Sequence, residues 1–207
     1  MAGDRAPVST PAFWDGLYAA SQDGWELGGP APSLVARLDA GLPVAPGARF
    51  AVPGAGRGHD ARLLARRGYA VTGFDFAEAA IAEARSLAER EGVRVLFEQR
   101  DVFGLGADFG AAFDAAWEYT CFCAIEPGRR GEYARVLRDI LKPGGILLAC
   151  FYPMREGTDG PPFPVSRAGI EAALGPHFDL LEAGPPAASP ERRQGLEWLV
   201  TARRRAG

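Results

Sequence analysis

Phe50-Ala51-Val52-Pro53-Gly54-Ala55-Gly56-Arg57-Gly58-His59-Asp60 is an apolar run that breaks into three alternate glycines, and Ala70-Val71-Thr72-Gly73-Phe74-Asp75 is a second apolar run that ends on a carboxylate. Glycines let a backbone approach a ligand where a Cβ would clash, and the helix that follows aims unpaired N–H groups at negative charge. A carboxylate about twenty residues further on accepts from both hydroxyls of a ribose. The glycines alone also fit an ordinary strand-to-helix turn. Asp75 at the second strand end turns the reading toward a nucleoside cofactor.

Outward from that loop, short apolar β-like runs alternate with helical patterns, the mark of a mostly parallel sheet covered on both faces. Strands are expected near 49–53, 70–74, 93–98, 112–118 and 145–151. Tyr133, Val136, Leu137, Ile140 and Leu141 recur at i, i+3, i+4, i+7 and i+8, one apolar helix face. That helix stops at Lys142-Pro143-Gly144-Gly145, where Pro-Gly suits the central positions of a type II turn. A further helix covers 76–90, with Ile81, Ala84, Leu87 and Ala88 inward, and another lies near 166–175. Two last strands near 177–183 and 196–202, joined by the Pro- and Arg-rich loop 184–195, can pair antiparallel.

The 207 residues, 47% hydrophobic and 24% charged, suit a single domain over 1–207 with a sizeable core. A net charge of −3 argues against the cationic face that nucleic-acid binding uses, so no nucleic-acid partner is expected. No apolar stretch reaches the roughly twenty residues of a membrane span, and the first twelve residues lack a signal's apolar core. A cytoplasmic protein with no membrane partner is expected, with a monomer favoured. Cys121, Cys123 and Cys150 sit in apolar runs, an odd count that fits reduced core thiols better than disulfides; Cys121-x-Cys123 has no second ligand pair, so no metal is expected.

The glycine spacing leaves the cofactor open. From Gly54, the sixth position is His59, where a dinucleotide fold wants Gly or Ala; from Gly56, Gly56-x-Gly58-x-x-Ala61 satisfies that same fingerprint. S-adenosylmethionine needs no pyrophosphate cradle, but it needs polar groups for ribose and adenine and aromatic surface near a sulfonium cation. Asp75 follows the second strand and Asp101-Val102 the third, where a carboxylate can accept from an adenine amino group or simply cap a helix. His59 and His177 both read as structural, and no His-Asp or Ser-His constellation emerges.

With these residues in place, the chain resembles the thiol and halide methyltransferases related to thiopurine S-methyltransferase, within the Rossmann-like S-adenosylmethionine enzymes. The resemblance spans roughly 13 to 167. It runs through Phe13-Trp14 with Tyr18, Trp25-Glu26-Leu27-Gly28 to Pro32, the Val52–Asp60 loop, Gly73-Phe74-Asp75 and Asp101-Val102-Phe103. It continues with Tyr119-Thr120-Cys121-Phe122-Cys123-Ala124-Ile125-Glu126-Pro127, Leu141-Lys142-Pro143-Gly144-Gly145, Phe151-Tyr152-Pro153-Met154 and Gly160-Pro161-Pro162-Phe163. The Val-Pro-Gly loop and the Tyr119–Pro127 run are its most specific parts; Leu-Lys-Pro-Gly-Gly is common to many methyltransferases.

The resemblance implies a Rossmann-like three-layer α/β/α fold: a seven-stranded, mostly parallel sheet with an antiparallel last strand, a lid segment over 1–30 and a core over 31–207. It implies S-adenosyl-L-methionine as cofactor and S-adenosyl-L-homocysteine as product. Trp14, Tyr18 and Trp25 are then lid contacts, Gly54 and Gly56 the loop at the methionine moiety, Asp75 the ribose partner, Phe76 beside it a further cofactor contact, and Asp101 and Val102 the adenine flank. Tyr119 is a positioning wall near the sulfonium, and Trp25, Phe122 and Phe163 wall the acceptor pocket. The implied activity is methyl transfer to a small-molecule thiol or a nucleophilic anion such as a halide or thiocyanate. Free thiols, with a pKa of about 8.5, carry some thiolate at neutral pH and the anions are already charged, so no strong base is obligatory.

Two residues depart from the family pattern. Phe163 stands where plant members carry Tyr, which removes a polar contact to a small anion. Glu118 stands where Asp is more frequent, either paired with the sulfonium or methionine amine or facing solvent. Another acceptor, a hydroxyl, amine or metalloid, is the alternative within methyl transfer, and an NAD-binding Rossmann protein the alternative outside it.

Overall fold

The computed structural model describes residues 6–206; residues 1–5 of the expected lid, and residue 207, lie outside the described residues. The elements, in order, are α1 (Pro11–Ala19), α2 (Pro32–Asp39), β1 (Arg49–Pro53), α3 (His59–Arg66), β2 (Ala70–Asp75), α4 (Glu78–Arg90) and β3 (Leu96–Gln99). They continue with α5 (Leu105–Asp108), β4 (Phe113–Tyr119), α6 (Arg130–Ile140), β5 (Leu141–Phe151), α7 (Arg167–Leu174), β6 (Phe178–Gly184) and β7 (Trp198–Arg204). The strands form one sheet in the order β3-β2-β1-β4-β5-β7-β6. β1 to β5 pair in parallel, and β7 runs antiparallel between β5 and β6.

Why the sheet is covered on both sides follows from the period of two. Phe50 and Val52 face one apolar cluster with Leu34, Leu64, Ile81 and Trp117, whereas Ala51 faces the other with Tyr133, Leu137, Ile140 and Phe151. Helices α2, α3 and α4 therefore pack on one face, and α6 and α7 on the other. Each fully buried large side chain contributes roughly 1.5–3 kcal/mol, and Phe50, Phe74, Phe113 and Trp117 are all below 2% exposed.

The expected strands are all present, the first with the expected bounds and the others with shifted ends. β3 begins at Leu96 rather than 93, because Gly92, at φ 63°, turns the chain out of α4 and Val93–Val95 bridge to the sheet. The pairing of β5 with β4 starts at Leu141 and then shifts register before Ile146. Lys142–Gly145 make that detour, with Gly144 at φ 76°, as the second central position of a type II turn requires. The expected helix over 76–90 is α4, although Leu87 is only half-buried. The short helix α2 was not anticipated. Among the described residues no helix is long and apolar enough to cross a membrane.

Candidate active site

β1 leads through α3 to β2 on one side of the sheet, and β4 leads through α6 to β5 on the other, so the topology reverses between β1 and β4. Crevices at such reversals, beyond the strand carboxyl ends, are where open α/β sheets take ligands. A cavity of about 690 Å³ lies there, lined by the loops after β1, β2, β3 and β4 and by the segment from Val8 to Ala31.

The loop after β1 makes the floor. Gly54 and Gly56 have φ of 63° and 52°, and a Cβ on Gly54 would lie 2.7 Å from Cys121 Cβ, one on Gly56 3.2 Å from the Tyr18 hydroxyl. Asp75, at the end of β2 and 9% exposed, accepts from the backbone N–H of Gly56 at 2.9 Å and of Ala77 at 3.0 Å. Each carboxylate oxygen retains a lone pair for a ligand. Burial pushes this carboxyl up, against those backbone bonds. Phe76, Asp101 and Val102 also line the cavity. Asp101 combines the two readings the sequence left open: it accepts from Phe103 N–H at 2.9 Å as a cap while facing the cavity.

Aromatic rings form the roof. Trp25 stands edge-on to Trp14 at 5.4 Å and to Tyr18 at 5.5 Å between centroids. The chain at Asp23–Glu26 is fastened by side chains that follow β1: Arg57 pairs with Asp23 and with Glu26 at 3.2 Å, besides Glu83 of α4 at 2.7 Å, and His59 meets Glu26 at 3.0 Å. Burial pushes Glu26 upward, but bonds from His59, Gly28 and Arg57 outweigh it and hold Glu26 down to about 2. His59, read from sequence as structural, is thus part of the fastening.

Tyr119, the last residue of β4, lines the far wall. Its hydroxyl donates to Glu197 at 2.6 Å and accepts from Arg193 at 2.8 Å. Arg193, 1% exposed, also donates to the Trp25 carbonyl at 2.8 Å and lies 4.4 Å from the Tyr152 ring centroid. Arg193 and Glu197 escaped the sequence reading because they stand 74 and 78 residues from their partner. A signal existed: β6 parallel to β5 carries the Arg-rich loop to the same end of the sheet as the glycine loop.

Trp14, Tyr18, Trp25, Gly54, Gly56, Asp75, Phe76, Asp101, Val102 and Tyr119 are therefore brought together. Three other residues are not. Phe122 is 1% exposed and packs edge-on to Phe151 in the core, so it does not wall the cavity. Phe163 is tied back by its N–H to the Cys123 carbonyl at 2.8 Å, and Gly160, Pro161 and Pro162 supply the wall instead. Glu118 neither faces a cofactor nor meets solvent: it is 0% exposed and accepts from Phe122 N–H at 2.6 Å. Burial pushes it up to about 7, against bonds from the Phe122 and Cys121 backbone. Cys121 and Cys123 reach the cavity, and burial beside Glu118 pushes both thiols up, Cys123 to about 12, so neither offers a thiolate there.

A glycine floor closed to any Cβ, a carboxylate at the second strand end and an aromatic roof fit S-adenosylmethionine, and together with the sheet order they define an S-adenosylmethionine-dependent methyltransferase. The chain matches the thiopurine S-methyltransferase family over residues 9–204 and belongs to that family. It is 30% identical over 192 residues to a probable thiol methyltransferase 2 of Arabidopsis thaliana, covering 90% of this chain and 82% of that protein. It is 32% identical to thiocyanate methyltransferase 1 of the same plant, covering 79% and 71%. Among solved structures, one reported for the conversion of a disulfide bond into a thioacetal group during echinomycin biosynthesis superposes with a TM-score of 0.77 at 24% identity, over 93% and 92% of the chains. Burkholderia thailandensis 1,6-didemethyltoxoflavin-N1-methyltransferase gives 0.71 at 23%, over 98% and 93%. These two likenesses show the fold.

Proposed function

We propose that the chain methylates a small thiol or a soft anion, such as thiocyanate or a halide, at the wall formed by Tyr119, Tyr152 and Arg193. The bound cofactor supplies a sulfonium-activated methyl carbon for in-line displacement. The chain's own tasks are alignment and exclusion of water. Gly54 and Gly56 admit the methionine end, Asp75 holds the ribose, Asp101 and Val102 flank the adenine, and Trp14, Tyr18 and Trp25 cover the site as a lid.

Arg193 carries this reading. Its hydrogen bonds go to a hydroxyl and a carbonyl, both neutral, and Glu197 reaches it only through the Tyr119 hydroxyl. A buried guanidinium without a directly paired carboxylate, facing a cavity, attracts an anion far more strongly than one in water. The names of the plant relatives, a thiol and a thiocyanate methyltransferase, point the same way. Replacing Arg193→Gln lowers kcat/KM for thiocyanate by about 10–100-fold, the worth of one charge-assisted hydrogen bond. An unchanged kcat/KM for thiocyanate and iodide contradicts the assignment. Its three unpaired cysteines suit a reducing compartment, and we place the protein in the cytoplasm as a monomer acting on small molecules.

A further inference from the structure

A thiol acceptor differs from thiocyanate or iodide in one respect that the cavity must handle: it carries a proton. We propose that Tyr119 and Glu197 form the exit for that proton, Tyr119 taking it from the acceptor sulfur while passing its own to Glu197, which releases it on the far side of the wall. The inference rests on the cavity being a methyl-transfer site for thiols.

A tyrosine hydroxyl has one proton and two lone pairs. The Tyr119 proton is committed to Glu197 Oε1 at 2.6 Å and one lone pair to Arg193 at 2.8 Å, which leaves one lone pair for an S–H donor from the cavity. Glu197 is 3% exposed, and its Oε2 has no protein partner. It does not line the main cavity. It lines a second depression of about 390 Å³, bounded by Pro185–Ser189, Gln194 and Gly195. Glu197 thus stands between the reacting chamber and that depression, with Oε2 itself buried just beneath the surface.

The step balances. The S–H bond breaks as the S–CH3 bond forms and the sulfonium becomes a neutral thioether; Tyr119 exchanges one proton for another, and Glu197 becomes a neutral carboxylic acid. Burial and Glu197 hold the Tyr119 hydroxyl well above the phenol range, so it gives up a proton only as it gains one. The other titratable or charged groups facing the pair are Arg193, a cation, and the Cys150 thiol of β5, which burial and Glu197 push up and so keep neutral.

The test compares 2-mercaptoethanol, protonated at pH 7, with thiocyanate. Glu197→Gln lowers the ratio of kcat on the thiol to kcat on thiocyanate about 100-fold, the low end of general acid–base contributions, and the ratio recovers as pH rises toward the thiol pKa. Tyr119→Phe lowers it likewise, and Glu197→Asp restores part of it. In Glu197→Gln, calorimetric affinity for S-adenosylhomocysteine stays within a few-fold of wild type. An unchanged ratio in both variants, a pH-independent loss, or equal loss on both acceptors with lost S-adenosylhomocysteine binding overturns the relay. A wild-type protein that methylates thiocyanate but no thiol also overturns it, whereas one that methylates neither overturns the proposed function itself.

Discussion

Asp75 accepts two backbone N–H bonds, from the glycine loop and from the start of α4, and so ties the two loops together. Asp75→Ala weakens S-adenosylhomocysteine binding by about 1.5–3 kcal/mol in calorimetry, the cost of a lost bond to a charged group. Glu118 yields a pH prediction. Its folded pKa of about 7 lies above the ordinary 4.5, so the native state keeps a proton that the unfolded chain releases. That contribution is complete below about pH 4.5 and is lost as pH rises through about 7. Between pH 5.5 and 8, wild type therefore loses about 1–3 kcal/mol relative to Glu118→Gln, read by urea denaturation; parallel stability curves contradict the buried titration. Asp75 and Tyr119 were legible because each closes an apolar run. The direction of Glu118 was not, since it is set by the turn after β4, where Thr120 takes φ 68° and presents the Phe122 N–H to it.

Gly58 shows how an element boundary is fixed by packing. It caps α3 at φ 72°, and a Cβ there would lie 2.4 Å from Cζ of Phe97 on β3. Gly58→Ala costs about 2–4 kcal/mol, left-handed strain plus overpacking, and Phe97→Leu in the same chain relieves only the second part. Denaturation midpoints of the single and double variants check this; a loss below 0.5 kcal/mol contradicts it. The strands were readable since their apolar runs are bounded by glycine, proline or a carboxylate. Helix α2 was not, because eight residues beginning at Pro32 present too little periodicity, and its burial of Ser33, Leu34 and Leu38 depends on contacts distant in sequence.

Over the whole molecule, the strap at Asp23–Glu26 closes the cavity from both sides. Arg57 and His59 hold it from the glycine loop; Arg192, bonded to the Glu26 carbonyl at 2.7 Å, and Arg193 hold it from the β6–β7 loop. Because the Arg57 pairs with Asp23 and Glu26 are ionic and only partly buried, Arg57→Gln raises the dissociation rate of S-adenosylhomocysteine about 3–30-fold in stopped flow, and the difference narrows at 1 M salt. An unchanged rate contradicts a fastening role. The fold and the cofactor were legible through motifs near the strand ends, while the proposed acceptor wall was legible only at Tyr119, since Arg193 comes from a loop far along the chain. The proposed acceptor range depends on that wall. Its most direct test is the product mixture formed from S-adenosylmethionine with equal concentrations of a thiol, thiocyanate, an alcohol and an amine. The expected products are methyl thioether and methyl thiocyanate, matched mole for mole by S-adenosylhomocysteine. Methylated alcohol or amine in their place would contradict it.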